Sequence, residues 1–229
     1  MTKVGFFDSG VGGRCILNAF LSICPDAKTI YLSDSAHCPY GNRTANEVRT
    51  FTEKFVVELI YSGCEIIVIA CNTATAASIE YLRKKYPSIK FVGLEPAIKT
   101  AAKETRTNTV AVLATQGTFE GRLYKETKSQ YASNINVIEV VAQDFVVEVE
   151  KLPPGGIAAI TGEQKERLYK VVGEKINPLL AAGADMIVLG CTHFPHLKDI
   201  IENICNKRAQ VIDSSEAVAR HIMELYKCQ

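Results

Sequence analysis

The most regular feature of the chain is the alternation of short apolar runs with longer amphipathic segments. Short runs rich in Val, Ile, Leu and Phe are typical of buried strands. The candidate strands are Val4–Phe7, Thr29–Leu32, Ile66–Ile69, Phe91–Leu94, Val110–Ala114, Val137–Val141, Met186–Leu189 and Gln210–Ile212. Candidate helices lie near residues 13–24, 44–62, 74–86, 97–105, 119–131, 163–182, 195–206 and 215–227. This alternation predicts an α/β fold, with parallel sheets covered by helices on both faces.

The two halves of the chain carry these signals in a similar order. Val4 and Val110 open corresponding strands, and a cysteine follows each of the corresponding runs Ile66–Ile69 and Met186–Leu189. We therefore predict two similar lobes, each a mainly parallel sheet flanked by helices. Residues 1–97 with about 208–229 are expected to form the first lobe, and residues 98–207 the second. Since open α/β sheets bind ligands at the carboxyl ends of their strands, an active site is expected in the cleft between the lobes.

Length and composition are those of an ordinary globular protein. The 229 residues carry a net charge of +1, with 47% hydrophobic and 22% charged residues. No apolar stretch approaches the roughly 18 residues of a membrane span, and the N-terminus lacks the apolar core of a signal peptide. We therefore expect no membrane or nucleic-acid partner and a cytoplasmic location.

The cysteines are expected to be reduced, because a cytoplasmic chain of this size forms its own core without disulfides. Most are expected to be small core residues. The chain has eight cysteines in all: Cys15, Cys24, Cys38, Cys64, Cys71, Cys191, Cys205 and Cys228.

A glycine-rich loop, residues 8–13, follows the first candidate strand and opens a helix. It lacks the third glycine of the dinucleotide-binding fingerprint, although Asp34 lies near the distance expected for a ribose-binding acid. A plain tight turn and a site for a small anionic or zwitterionic ligand are the other interpretations. Asp8, at the end of the strand, favours a ligand with an ammonium group or a role as a proton acceptor.

Cys71-Asn72-Thr73 follows a buried run at the start of a helix. Its polar side chains can bind a carboxylate while exposing a thiol, and a helix N-terminus lowers the pKa of a thiol. A structural cysteine in a strand-to-helix turn is the alternative. Ser33-Asp34-Ser35 and Pro39–Asn42 are by themselves ordinary turn residues.

The segment Cys191-Thr192-His193-Phe194-Pro195-His196 admits several interpretations. It can be a Cys-x-His-x-x-His metal cluster, although the spacing is poor for zinc. It can hold a nucleophilic cysteine with a neighbouring base, as in a thiol hydrolase. It can also hold a thiol whose proton is handled by His193, opposite Cys71 across a shared cleft. A satisfied core histidine is the alternative without function.

These loops resemble those of the glutamate racemases in the aspartate/glutamate racemase superfamily. The matching segments run in family order over nearly the whole chain. They are residues 8–13, Asp34 with Pro39-Tyr40-Gly41, residues 70–74, 95–97, 113–118 and 189–197, and Asp213-Ser214. The combination of Cys-Asn-Thr-Ala with Gly-Cys-Thr-His is the most specific part of the resemblance.

The resemblance implies a racemase with two thiol bases, no cofactor and no metal. Cys71 would act on D-glutamate with support from Asp8, and Cys191 on L-glutamate with support from His193 and Glu150. The implied substrate-binding residues are Asp8, Ser9, Tyr40, Gly41, Asn72, Thr73, Thr118, Thr192 and His193. The resemblance also implies a cytoplasmic homodimer that supplies D-glutamate for peptidoglycan.

The chain departs from the family pattern in three places that bear on the role of Glu150 and on the substrate, and one of them is the region 151–162, which is short for the family. Residues 32–39 replace the usual Gly-Asp-Thr-Ala-Arg-x-Pro, and residues 140–145, Val-Val-Ala-Gln-Asp-Phe, replace a small, cysteine-containing approach to Glu150. The competing hypotheses are a racemase of aspartate or another amino acid, a thiol-dependent isomerase or hydrolase, a non-catalytic amino-acid-binding relative, and a metalloenzyme.

Overall fold

Eight strands form two four-stranded parallel sheets. The computed structural model describes residues 2–227, so Cys228 lies outside the described residues. Within this range the strands are β1 (Lys3–Asp8), β2 (Lys28–Ser33), β3 (Ile66–Ile69), β4 (Lys90–Val92), β5 (Thr109–Ala114), β6 (Asn136–Val141), β7 (Met186–Leu189) and β8 (Gln210–Ile212). Their order is β2-β1-β3-β4 in the first sheet and β6-β5-β7-β8 in the second. Every predicted strand is confirmed, with ends that differ by at most two residues.

Helices connect the strands throughout. They are α1 (Arg14–Ile23), α2 (Ala45–Tyr61), α3 (Asn72–Lys85), α4 (Ile98–Glu104), α5 (Gln116–Glu120), α6 (Arg122–Tyr131), α7 (Gln143–Glu150), α8 (Gly162–Ala181), α9 (Lys198–Cys205) and α10 (Ser215–Lys227). Short 3₁₀ turns occupy Tyr40–Asn42, Gly156–Ala159 and Phe194–Leu197. Among the described helices, none combines the length and the apolar character needed to cross a membrane.

Some helical segments differ from the predicted ones. The segment predicted at 119–131 divides at Gly121, whose backbone is extended, and the one at 195–206 begins as a 3₁₀ turn. Helix α8 continues through Pro178, where a division or kink was expected. Helix α7 was not predicted, because its valines favour strands. Burial of Phe145, Val146 and Val149 in the hydrophobic core of the second lobe outweighs that local preference.

The two sheets are built in the same way. Val4 pairs with Ile66 in the first sheet, and Val110 pairs with Met186 in the second, as the repeated order of signals predicts. The central strands β1, β3, β5 and β7 are almost wholly buried, because helices cover both faces of a parallel sheet.

The last strand does not belong where the sequence placed it. We expected the chain from about residue 208 to return to the first lobe, but β8 pairs with β7, and its Val211 lies in the second core. Only the following helix returns: Ala219 and Ile222 of α10 pack in the first core with Phe20 of α1. Parallel pairing beside β7 completes the second sheet, so the crossover comes after β8. The boundary between residues 97 and 98 stays a prediction.

Candidate active site

The carboxyl ends of the two sheets meet, and side chains make hydrogen bonds across the junction. The hydroxyls of Thr73, after β3, and Thr115, after β5, lie 2.8 Å apart. The backbone N–H of Val11, in the glycine-rich loop, donates to Glu150 Oε1 of α7 at 2.9 Å. The predicted cleft is therefore an interface in which the two sheets' ligand-binding edges are in direct contact.

Cys71 lies after β3 and caps the first turn of α3. Its Sγ accepts a hydrogen bond from the backbone N–H of Ala74 and lies 3.5 Å from Ser9 Oγ. Burial and the negative charge of Asp8 raise the pKa of Cys71 to about 12, against the lowering effect of these hydrogen bonds. From the sequence, the N-terminus of α3 was expected to lower the pKa of Cys71. In the structure the pKa is raised, so the resting group is a thiol rather than a thiolate.

Cys191 lies at the matching position after β7, beside a histidine. Its Sγ is 3.8 Å from His193 Nδ1, and His193 Nε2 is 2.6 Å from Glu150 Oε1. Burial raises the pKa of Cys191 well above its ordinary value, and the negative charge of Asp8 raises it further. Asn72, the neighbour of Cys71, borders the same small cavity as Cys191, so the two thiol-bearing segments meet at the junction.

Glu150 is held at the end of α7 by groups from both lobes. Burial disfavours its charged form, but the hydrogen bonds from His193 and the Val11 N–H outweigh burial and lower its pKa. The carboxylate is therefore ionised near neutral pH. It fixes the ring of His193 so that Nδ1 faces Cys191.

The glycine-rich loop fits closely around this histidine and carboxylate. A Cβ at Gly12 would lie 2.6 Å from His193 Nδ1, and a Cβ at Gly10 would collide with the Glu150 carboxylate. The loop also fixes Asp8, whose Oδ2 accepts hydrogen bonds from the N–H groups of Gly10 and Gly13 at 3.2 and 2.9 Å. Since His193 and Glu150 occupy the space around the loop, this geometry argues against a bound dinucleotide.

Several buried polar atoms at the junction have no hydrogen-bond partner among residues 2–227. They include Asp8 Oδ1, Asn72 Nδ2 and Thr192 Oγ1, which belong to three predicted substrate-binding residues. Leaving such atoms unpaired is costly, and native proteins leave few of them. One carboxylate oxygen and two potential donors beside two thiols suit a ligand that carries both an ammonium and a carboxylate group.

Comparison with known proteins identifies the family. Residues 14–222 match the family model described as Asp/Glu/Hydantoin racemase.

The chain belongs to this racemase family.

The curated relatives support the same family. The chain is 38% identical over 223 residues to the glutamate racemase of Herpetosiphon aurantiacus, with 97% of this chain and 84% of the relative covered. It is 36% identical over 219 residues to a glutamate racemase of Clostridium perfringens, with 96% of this chain and 81% of the relative covered.

Solved racemase structures share the fold. Escherichia coli glutamate racemase, in complex with L-glutamate and the activator UDP-MurNAc-Ala, has a TM-score of 0.82 and 27% identity, covering 99% of this chain and 82% of that one. The Francisella tularensis glutamate racemase, in complex with D-glutamate, has a TM-score of 0.78 and 26% identity, covering 98% and 80%.

The other residues predicted from the racemase resemblance also lie at or near the junction. Tyr40 is buried, and its hydroxyl donates to Asp34 Oδ2 at 2.7 Å. Thr118 Oγ1 lies 3.0 Å from Thr115 Oγ1, which also contacts Thr73. Gly41 has no room for a side chain, because a Cβ would lie 2.9 Å from Thr115 Cβ.

Sequence reasoning placed Thr115 only within the matching segment 113–118, without a role, and did not single out Gln143. Thr115 links Thr73 to Thr118 across the junction. Both polar atoms of the Gln143 side-chain amide are buried and have no partner in the described part of the chain, and its Oε1 occupies the space where a Cβ on Gly41 would lie. For Gln143, the signal in the sequence was the departure from the family pattern at residues 140–145.

The thiols are less accessible than we expected. Cys71 is 5% and Cys191 is 7% exposed, and the cavity bordered by Cys191 and Asn72 has a volume of only about 10 Å³. That volume is no more than the space needed by one water molecule. The cleft between the lobes is closed in this structure, because the lobes touch through the contacts described above. A cavity of about 650 Å³ beside Asp213 has neither thiol in its lining.

One group of side chains could hold a metal ion. Among the described residues, Cys38 Sγ, Glu150 Oε1 and His193 Nε2 lie within 4.8 Å of one another. A thiolate, a carboxylate and an imidazole are all ligands that zinc accepts. Cys191 and His196 do not belong to this group, so the geometry does not support the Cys-x-His-x-x-His hypothesis.

Proposed function

We propose that this protein is a cofactor-independent glutamate racemase, which interconverts L- and D-glutamate by proton transfer at Cα. The observation that carries the proposal is the pair of thiols that follow the equivalent strands β3 and β7, where Asn72, next to Cys71, borders the same small cavity as Cys191. Relatives named glutamate racemase, and neighbours whose structures contain L- or D-glutamate, favour glutamate over aspartate as the substrate.

In this mechanism Cys71 and Cys191 work on opposite faces of one carbon. The Cys71 thiolate takes the Cα proton of D-glutamate, and the Cys191 thiol gives its proton to the other face, producing L-glutamate. In the reverse direction Cys191 takes the proton and Cys71 returns one. Each turnover leaves one thiol and one thiolate with their roles exchanged.

The two sulfur atoms receive different support. Asp8, held by two backbone N–H groups, lies close enough to Cys71 for its charge to raise the pKa of the thiol. A raised pKa makes the thiolate, once formed, a stronger base. His193 can exchange a proton with Cys191, and the ionised Glu150 stabilises the resulting imidazolium.

The unpartnered polar atoms suit the amino-acid head group of the substrate. Asp8 Oδ1 would accept a hydrogen bond from the ammonium group, while Asn72 Nδ2 and Thr192 Oγ1 would donate to the α-carboxylate. Negative charge spreads onto this carboxylate as Cα loses its proton. Fixed donors at that position stabilise the carbanion more than the bound substrate, which lowers the barrier. Ser9, Tyr40, Gly41, Thr73, Thr118 and His193 complete the proposed binding set.

Substrate entry requires the lobes to separate, because the space beside the thiols is far smaller than an amino acid. Closure after binding would then exclude water from the thiols and strengthen the electrostatic interactions inside. The proposal also includes a cytoplasmic homodimer that provides D-glutamate for peptidoglycan, and this part rests on the family resemblance.

The proposal is tested by following the circular dichroism of L- and D-glutamate with purified protein, without cofactor and with EDTA. We expect each enantiomer to become racemic and aspartate to react more slowly. Loss of activity with EDTA would point to a metalloenzyme, and faster reaction of aspartate to an aspartate racemase. A covalent substrate adduct detected by mass spectrometry would instead support a thiol hydrolase or isomerase.

A further inference from the structure

We propose that the side-chain amide of Gln143 binds the distal carboxylate of the substrate and thereby selects its length. This inference rests on the proposed function, which it deepens by assigning a residue to the part of glutamate that does not react.

The first argument is the state of the amide itself. Both Nε2 and Oε1 of Gln143 are buried and lack a hydrogen-bond partner among the described residues. A primary amide offers two N–H donors and one acceptor oxygen. A glutamine with a structural role would direct these atoms toward backbone or side-chain partners, because an unpaired buried amide costs stability. Asp8, Asn72 and Thr192 leave polar atoms unpaired at the same junction.

The second argument is the position of the amide between the lobes. Its Oε1 lies against Gly41, in the 3₁₀ turn of the first lobe, where any Cβ would collide with it. The same face of Gly41 adjoins Thr115 of the second lobe, and Thr115 contacts Thr73, two residues after Cys71. The amide is therefore connected by direct contacts to the segment that carries one of the two thiols.

The third argument is the geometry of α7. Gln143 and Glu150 are its first and last residues, two helical turns apart, so they share a face and lie roughly 10 Å apart along the axis. Glu150 contacts His193, which contacts Cys191. The face of α7 at the junction thus carries Glu150, which holds the histidine beside Cys191, at one end and the unpartnered amide of Gln143 at the other.

This arrangement gives a physical basis for substrate selection. A substrate with its Cα between the thiols can direct its side chain along α7 toward Gln143. An amide N–H can donate to the carboxylate that ends the side chain of glutamate. Aspartate is one methylene shorter, so its carboxylate would end short of the amide.

The test compares wild-type protein with Gln143→Met, which retains the length of the side chain and removes its hydrogen-bonding groups. With glutamate we expect KM to rise at least about tenfold and kcat to change less than about threefold, since the interaction is made equally in the bound substrate and the transition state. The melting temperature should stay the same or rise, because the substitution removes an unpaired buried amide. A structural glutamine would give the opposite pattern, with a lower melting temperature and an unchanged KM.

Asp144→Asn is the matched control on the neighbouring position of α7. Asp144 is exposed and pairs with Lys175 at 3.3 Å, so KM and kcat should match the wild-type values. An unchanged KM in Gln143→Met, or a fall in kcat alone, would overturn the inference while leaving the racemase intact. Failure of wild-type protein to racemise glutamate would instead overturn the proposed function.

Discussion

The two thiols occupy equivalent places in the two sheets, yet their surroundings differ in kind. Cys71 is contacted by Ser9 Oγ and the Ala74 N–H, and the charge that raises its pKa is the Asp8 carboxylate of its own lobe. Cys191 is contacted by a histidine whose other nitrogen binds a carboxylate that also reaches the other lobe. Structural equivalence of the strands therefore does not extend to how a proton would be handled.

This difference concerns which groups can exchange protons with each sulfur. A carboxylate fixed by backbone N–H groups acts on Cys71 through its charge, whereas an imidazole beside Cys191 can itself accept or donate a proton. The Val11–Glu150 hydrogen bond further ties the Cys191 side to closure of the lobes. Disturbing each side separately should therefore give distinguishable kinetic results.

The largest effect is expected on removing either sulfur. Cys71→Ser and Cys191→Ser should each lower racemisation by at least about 10³-fold, because a hydroxyl is a far weaker acid than a thiol and cannot serve as the base. Circular dichroism of glutamate measures the loss, and melting temperature checks the fold. Cys24→Ser, at the end of α1, is the matched control and should retain activity. Near-normal turnover by either active-site variant would contradict the two-thiol scheme.

Changing His193, which supports Cys191, and changing Asp8, which supports Cys71, should alter the isotope effects on the two enantiomers in opposite ways. His193→Asn and Asp8→Asn should each lower kcat/KM by about 10²-fold, equally in both directions because the enantiomers have equal free energy. In His193→Asn, proton transfer at Cys191 becomes limiting. The primary isotope effect should then rise for Cα-deuterated L-glutamate and fall for the D-enantiomer.

Asp8→Asn should reverse this pattern, because it impairs the Cys71 side. Steady-state rates with protiated and deuterated substrates provide the measurement. Equal isotope effects for both enantiomers in both variants would mean that each support serves both thiols.

A smaller effect is expected on weakening the histidine's partner. Glu150→Gln keeps a hydrogen-bond acceptor for His193 but removes the charge that stabilises its protonated form. A charged hydrogen bond contributes about 1.5–3 kcal/mol, so activity should fall about 10- to 100-fold. Glu148→Gln, on the same helix but paired with Arg167, should leave activity unchanged. Equal losses in both variants would indicate damage to α7 rather than to the histidine.

The smallest effect concerns stability at high pH. The folded protein holds the Cys71 proton with a pKa of about 12, compared with an ordinary value of 9.0 that applies when the chain unfolds. This contribution to stability is complete below pH 9 and is lost as the pH rises toward 12. The free energy of unfolding should therefore fall less steeply over this range in Cys71→Ala than in wild type. Identical slopes would contradict the raised pKa.

Local patterns in the sequence predicted the strands and the side chains that follow them, because buried parallel strands leave continuous apolar runs. They did not predict α7, because its valines favour strands locally. Burial of Phe145 and Val146 in the folded protein outweighs that preference. The local patterns also placed β8 in the wrong lobe, because the pairing of a strand depends on contacts with segments distant in sequence, which such patterns do not contain. The roles of Thr115 and Gln143 could not be predicted, because their contacts form between segments far apart in the chain.

The most direct test of the two-thiol mechanism is isotope uptake during the first few per cent of conversion of L-glutamate in ²H₂O. In the form of the protein that reacts with L-glutamate, Cys191 would be the thiolate and Cys71 would hold a deuteron derived from solvent before turnover. We therefore expect D-glutamate formed at this stage to carry deuterium at Cα, while the remaining L-glutamate retains its proton. D-glutamate that retains the original proton would mean that a single base moved it from one face to the other, and would contradict the account.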